Sequence, residues 1–75
     1  MRKLEDVIEE ALSVEPGTIT PDSSPETVPA WDSMGLVKIV SAVEQAYGLR
    51  LSADEIIEFA SVAGVRAVLA QHNIS

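Results

Sequence analysis

The sequence predicts an all-α fold, a small four-helix bundle formed by a single domain of residues 1–75. Apolar residues recur at the three- and four-residue spacing of amphipathic helices in four segments. Residues that favour helix ends, among them Pro16, Gly17, Gly48 and Ser61, separate those segments. A chain of 75 residues forms one small domain, and its 47% hydrophobic residues suffice for a compact core.

The first predicted helix spans about residues 2 to 14. Its apolar residues follow helical spacing: Leu4, Val7, Ile8, Ala11 and Leu12. Acidic residues occupy the opposite side: Glu5, Asp6, Glu9 and Glu10. Because these acids also lie near the positive end of the helix dipole, we interpret them as a solvated face rather than a binding patch. Glu15, Pro16 and Gly17 then end the helix.

Residues 15–32 are predicted to form an unusually long loop. They contain all four prolines together with Gly17 and several Ser and Thr residues, a composition that disfavours long helices and strands. Loops longer than about 12–15 residues in compact domains tend to be functional or disordered. We expect Ile19, Val28 and Trp31 to anchor this loop to the core. Trp31 should pack across the loop and the start of the next helix rather than bind a ligand.

The second predicted helix runs from Met34 to Tyr47, and Gly48 follows in the position of a left-handed C-terminal cap. Six of its residues are predicted to be buried: Leu36, Val37, Ile39, Val40, Val43 and Tyr47. Met34 allows two interpretations, a lid on the core or an exposed apolar contact for a partner, because methionine suits both.

Two short helices complete the prediction. Ser52 and Glu55 match a capping box before a third helix that continues through Ile56, Ile57 and Phe59. Ser61 is predicted to cap a fourth helix, in which Gly64 either weakens the first turn or permits close packing. The apolar residues of this helix are Val62, Val65, Val68 and Leu69, and its predicted end is Asn73.

Composition excludes several classes of function. Twelve acidic and five basic residues give a formal net charge of −7, which disfavours nucleic acid and anionic membrane surfaces as partners. The absence of cysteine excludes disulfides, Cys-based metal sites and a Cys nucleophile. No apolar run approaches the ~18 residues of a membrane span and no signal peptide is recognisable, so we expect no membrane insertion and a cytoplasmic location.

No catalytic or metal-binding constellation is recognisable in the sequence. The only histidine, His72, lies near the C-terminus, where we expect an exposed side chain. The acids Asp22, Glu26 and Asp32 are too scattered for a calcium-binding loop. The sequence therefore predicts neither an enzyme nor a metal site.

Ser33 stands at the junction between the long loop and the second helix, between Asp32 and Met34. The first turn of a helix has unpaired backbone N–H groups and a partial positive charge, so a phosphate ester on Ser33 would be stabilised there. Two alternatives remain open. Ser33 could serve only as a helix cap, or it could be phosphorylated as a switch.

The run Trp31-Asp32-Ser33-Met34-Gly35-Leu36-Val37, within a short acidic chain of four helices, resembles the acyl carrier protein family. The resemblance implies that Ser33 carries 4'-phosphopantetheine through a phosphodiester, with Asp32 and Met34 as its neighbours. It implies a phosphopantetheinyl transferase that uses coenzyme A and magnesium, and partner enzymes that load and process acyl or aminoacyl thioesters on the arm. A mobile monomer is expected, since no heptad seam is present.

Two differences from the family bear on function. Ala30 and Trp31 stand where the family more usually has glycine and an aliphatic residue, which concerns the loop geometry before the serine. Fatty-acid carriers present many acids on the second helix, whereas this helix has one acid among four polar positions: Lys38, Ser41, Glu44 and Gln45. This difference favours polyketide, nonribosomal peptide or other specialised biosynthesis over fatty acid biosynthesis.

A different class of function remains open beside the carrier. In it the chain is a small acidic helical interaction module without a prosthetic group. Asp32 and Ser33 would then only cap the helix, and Trp31, Met34 and Val37 would form the surface that contacts a partner.

Overall fold

The computed structural model describes residues 3–73, and this part of the chain contains helices and no strand. The helices are α1 (Leu4–Leu12), α2 (Ser33–Tyr47), α3 (Ala53–Ile57) and α4 (Val62–Gln71). A loop of twenty residues, 13–32, joins α1 to α2, and α3 has only five residues. The predicted all-α bundle of four helices, with a long first loop and a short third helix, is confirmed.

Helix α1 ends earlier than the sequence predicts. Ser13 adopts a left-handed conformation with φ 57° and ψ 40°, and its backbone N–H donates to the carbonyls of Glu9 and Glu10. The chain therefore leaves the helix at Ser13, two residues before the predicted stop at Glu15. Nothing in the local sequence marks this position, because left-handed conformations favour glycine or asparagine over serine. Residue 2, the predicted start, lies outside the described residues.

The interpretation of the α1 acids as a solvated face is wrong for Glu9, whose side chain is buried. Its Oε2 accepts a hydrogen bond from the backbone N–H of Gly17 at 2.8 Å and another from that of Ile19 at 3.0 Å. Two backbone donors of the loop thus end on one carboxylate of the helix. Glu9 fixes the loop where it turns back over α1, and the next anchor, the side chain of Ile19, follows directly into the core.

Glu9→Ala is expected to lower the free energy of unfolding by about 2–4 kcal/mol, because two backbone N–H groups lose a charged acceptor. Urea denaturation measures the change. Glu15→Ala is the control, because it also removes one acidic charge, here from an exposed position of the long loop. It should change stability by less than about 0.5 kcal/mol. Equal losses in the two variants would contradict the role assigned to Glu9.

The long loop contributes three side chains to the core. Ile19, Val28 and Trp31 are 3–4% exposed, so the three predicted anchors are confirmed. Ser23 lies between the first two anchors, and its carbonyl accepts a hydrogen bond from the N–H of Val62, the first residue of α4, at 3.0 Å. The loop is therefore hydrogen-bonded to the first helix, α1, through Glu9 and to the last helix, α4, through Ser23.

Helix α2 presents one face to the core and another to solvent. Ile39 and Val43 are fully buried, and Gly48 ends the helix with the predicted left-handed cap at φ 64°. Val37 is 63% exposed, so its predicted burial is wrong. Val37 lies three residues after Met34 on the same side of the helix, and both side chains are largely exposed among the described residues.

The helix caps of α3 and α4 match the prediction. Ser52 and Glu55 form the capping box in both directions. The Ser61 hydroxyl accepts a hydrogen bond from the N–H of Gly64 at 3.0 Å. Phe59 is buried but lies beyond the end of α3. Helix α4 stops at Gln71, two residues before the predicted end at Asn73.

Gly64 permits close packing, one of the two interpretations that its sequence position allows. A Cβ atom on Gly64 would lie 1.9 Å from the carbonyl oxygen of Glu58. The turn after α3 therefore passes directly over the first turn of α4, at a distance that only glycine allows.

His72 is half-buried rather than exposed, because its Nε2 contacts Glu55 Oε2 at 2.5 Å. The pKa of Glu55 is lowered, chiefly by the hydrogen bond from the backbone N–H of Ser52 and then by that with the His72 side chain. The folded chain therefore keeps this carboxylate ionised at a pH where the unfolded chain would protonate it. Its contribution to stability is present above the ordinary glutamate pKa and is lost as the pH falls through the lowered value.

Glu55→Gln is expected to lower the Tm clearly at about pH 6, and the difference should shrink as the pH falls below the ordinary glutamate pKa and through the lowered pKa of Glu55. Calorimetry across this pH range measures the difference between the two proteins. Asp54→Asn, which removes one acidic charge at the exposed neighbouring position, is the control and should lower the Tm at about pH 6 less than Glu55→Gln does. A Glu55→Gln difference that is independent of pH would contradict the assignment.

Candidate functional site

Asp32 and Ser33 occupy different positions at the start of α2. Asp32 is the N-cap, and its Oδ1 accepts a hydrogen bond from the N–H of Gly35 at 2.9 Å. Ser33 is the first helical residue, and its side chain is exposed. Within residues 3–73, no group forms a hydrogen bond with the Ser33 hydroxyl. The cap is therefore Asp32, and the hydroxyl of Ser33 is available for chemistry.

The contrast with the serines that cap α3 and α4 is direct. The hydroxyls of Ser52 and Ser61 each accept a backbone hydrogen bond from the third residue of their helix. In α2 the carboxylate of Asp32 takes that role, and Ser33 is displaced one residue into the helix. At this position the backbone N–H groups of Ser33 and Met34 have no intrahelical acceptor. They provide the partial positive charge that stabilises a phosphate ester.

Gly35 sets the distance between the loop and α2. A Cβ atom at this residue would lie 2.3 Å from the Ala30 carbonyl oxygen and 2.9 Å from Leu12 Cδ2. The loop backbone thus passes against the first turn of α2 just before Trp31, Asp32 and Ser33. Sequence reasoning missed this role of Gly35. The available signal was a glycine in the first turn of a helix, which is unfavourable unless close packing requires it.

The loop before Ser33 does not need the glycine that the family more usually has at position 30. Its φ is negative, since Ser13 and Asn73 are the non-glycine residues of positive φ among residues 3–73. The backbone conformation at position 30 therefore requires no glycine. Glycine is required instead at position 35, because the Ala30 carbonyl oxygen occupies the space that a Cβ atom would need there.

Large apolar side chains are exposed around Ser33. Met34 is 67% exposed and Val37 63%, and Ile57 of α3 is 73% exposed. The exposure of Met34 excludes its interpretation as a lid on the core, and its contact with a partner stays a prediction. The single acid of α2, Glu44, is half-buried and accepts a hydrogen bond from the N–H of Leu51 at 2.9 Å. The surface of α2 beside Ser33 therefore presents the apolar side chains of Met34 and Val37 together with Lys38, and the one acid of the helix is held by the backbone of Leu51.

A family model described as the phosphopantetheine attachment site matches residues 2–69. The chain belongs to this family. Its members are carriers rather than enzymes and hold 4'-phosphopantetheine covalently on a serine, so the resemblance to acyl carrier proteins is confirmed. Searches of curated proteins and of solved structures give no match. No helix within residues 3–73 is long and apolar enough to cross a membrane.

Proposed function

We propose that Ser33 is the attachment point of 4'-phosphopantetheine in this carrier. The observation that carries the proposal is the exposed Ser33 hydroxyl, which has no hydrogen-bond partner among the described residues and lies at the N-terminus of α2. Ser52 and Ser61, the other serines at helix starts, have hydroxyls engaged in caps. The prosthetic group supplies the thiol that a chain without cysteine lacks.

Asp32 and Met34 have distinct proposed roles. Asp32 holds the junction of loop and helix through its bond to Gly35, which fixes the direction of the Ser33 side chain. Met34 contacts the transferase and the enzymes that load and process the acyl or aminoacyl group. Because each partner has to be released in turn, these contacts are small and transient.

The surface of α2 supports a specialised pathway over fatty acid biosynthesis. The carboxylate of its one acid, Glu44, accepts a hydrogen bond from the backbone N–H of Leu51, and two of its exposed residues near Ser33, Met34 and Val37, are apolar. We assign the carrier to polyketide, nonribosomal peptide or other specialised biosynthesis, acting as a cytoplasmic monomer. The exposed apolar side chains would also suit an interaction module without a prosthetic group, but family membership favours the carrier.

Intact-protein mass spectrometry tests the proposal after incubation with coenzyme A, magnesium and a broad-specificity phosphopantetheinyl transferase. We expect a gain of one phosphopantetheine, and fragmentation should locate it on Ser33. A known carrier in the same reaction shows that the transferase is active. A gain located on another serine would refute the assignment of Ser33, and no gain on folded protein would favour the interaction module.

Met34→Ser is expected to raise the KM of the transferase for this carrier several-fold and to leave kcat and Tm nearly unchanged. The side chain is 67% exposed, so its removal takes apolar area from the contact with the enzyme and little from the core. Ala63→Ser, an exposed change on α4, is the control and should leave KM unchanged. An unchanged KM for Met34→Ser would remove Met34 from the proposed contact surface.

A further inference from the structure

A groove of about 410 Å³ lies beside Ser33. Its lining includes Trp31 from the end of the long loop, Ser33 and Leu36 from α2, Ile56 and Ile57 from α3, and Phe59 from the turn after α3. The volume falls within the range of about 300–1,000 Å³ of small-molecule sites. Because Ser33 itself belongs to the lining, a chain attached to its hydroxyl begins at the edge of the groove.

Trp31, which lines this groove, has an unpaired hydrogen-bond donor on its indole ring. The residue is 3% exposed, and its Nε1 is buried without a partner among residues 3–73. An indole N–H can only donate, and buried donors in native proteins nearly always have an acceptor. The burial predicted for Trp31 is confirmed, but packing alone leaves this N–H unexplained. An acceptor that enters the groove would satisfy it.

We propose that the indole N–H of Trp31 donates a hydrogen bond to a carbonyl oxygen of the phosphopantetheine arm or of its acyl cargo. This inference rests on attachment of the arm to Ser33. Nε1 is shielded from solvent, so the bound chain displaces the side chains that cover it. Alkyl segments have no acceptor, so only a carbonyl of the arm or of the cargo can pair with this N–H. Trp31 is therefore a positioning residue that holds such a carbonyl in the groove.

Nuclear magnetic resonance of the ¹⁵N-labelled protein tests this inference, because the single tryptophan gives a single indole N–H signal. Four samples are compared, each confirmed by mass spectrometry: unmodified carrier, carrier with the free arm, and carrier loaded with a saturated acyl or a 3-oxoacyl group. We expect a downfield shift of the indole proton and slower exchange with solvent on loading. If the shift is already present with the free arm, the acceptor is a carbonyl of the arm. If it is confined to the 3-oxoacyl sample, the acceptor is the carbonyl of the cargo.

Trp31→Phe provides a second measurement, since phenylalanine keeps the aromatic ring and lacks the N–H. Loading should raise the Tm of the wild-type sequence more than that of Trp31→Phe. If Trp31 had a purely structural role, the substitution would lower the Tm of the unloaded and the loaded carrier equally. Tyr47→Phe, an aromatic change outside the groove, should keep the full rise. Loaded carrier with an unchanged indole signal overturns this inference alone, and failure to load Ser33 overturns the proposed function as well.

Discussion

Ser33→Ala is expected to take up no phosphopantetheine and to keep the fold of the unmodified protein. The hydroxyl oxygen forms the phosphodiester, so its removal leaves no atom to which the arm can be attached. Asp32, not Ser33, caps α2, and the exposed Ser33 side chain forms no hydrogen bond within the described residues. The Tm should therefore change less than it would after loss of a cap, which costs about 0.5–2 kcal/mol.

Ser61→Ala is the matched control, and it separates chemistry from stability. Its hydroxyl caps α4 through the N–H of Gly64, so this variant should lose about 1 kcal/mol of folding free energy and still load completely. Intact mass measures loading, and thermal unfolding measures stability for both variants. Residual loading of Ser33→Ala would contradict the proposed attachment site, whatever its stability. A large fall in the Tm of Ser33→Ala would contradict the assignment of the cap to Asp32.

The features that the sequence predicted correctly depend on short-range signals. Ser52 with Glu55, Ser61 and Gly48 each satisfy backbone groups within three or four residues of themselves. Their conformations are determined by local geometry, so the helix ends that they mark appear where the sequence places them. The start of α2 belongs to the same class, because Asp32 marks it, although the helix begins at Ser33, one residue before the predicted Met34.

The features that the sequence did not predict depend on tertiary contacts. Glu9 has the helical position of a surface acid, and only the return of the loop to Gly17 and Ile19 buries it. Val37 has the spacing of a core residue, yet no helix or loop within residues 3–73 buries its side chain. Both errors concern which surface a neighbouring segment covers. Periodicity identifies an apolar or polar position, but it does not state whether anything packs there.

Gly35→Ala is expected to lower the free energy of unfolding by about 1–3 kcal/mol, although helix propensity alone predicts stabilisation of up to about 1 kcal/mol. The added Cβ would meet the Ala30 carbonyl at 2.3 Å, and that neighbour is backbone, which cannot rotate away. Ser41→Ala is the control, because it places alanine at an exposed position of the same helix. It should be neutral or slightly stabilising. Urea denaturation of both variants measures the difference.

Gly35→Ala should also affect the modification of Ser33. Relief of the contact requires the Ala30 segment to move away from α2, and the same segment continues into Trp31 and Asp32 beside Ser33. Loading should therefore slow even under conditions where Gly35→Ala remains fully folded. Gly64→Ala introduces a still closer contact, 1.9 Å from the Glu58 carbonyl, at the start of α4. Where both variants are folded, slower loading in Gly35→Ala alone would show that Gly35 positions the serine, and equal rates would limit its role to stability.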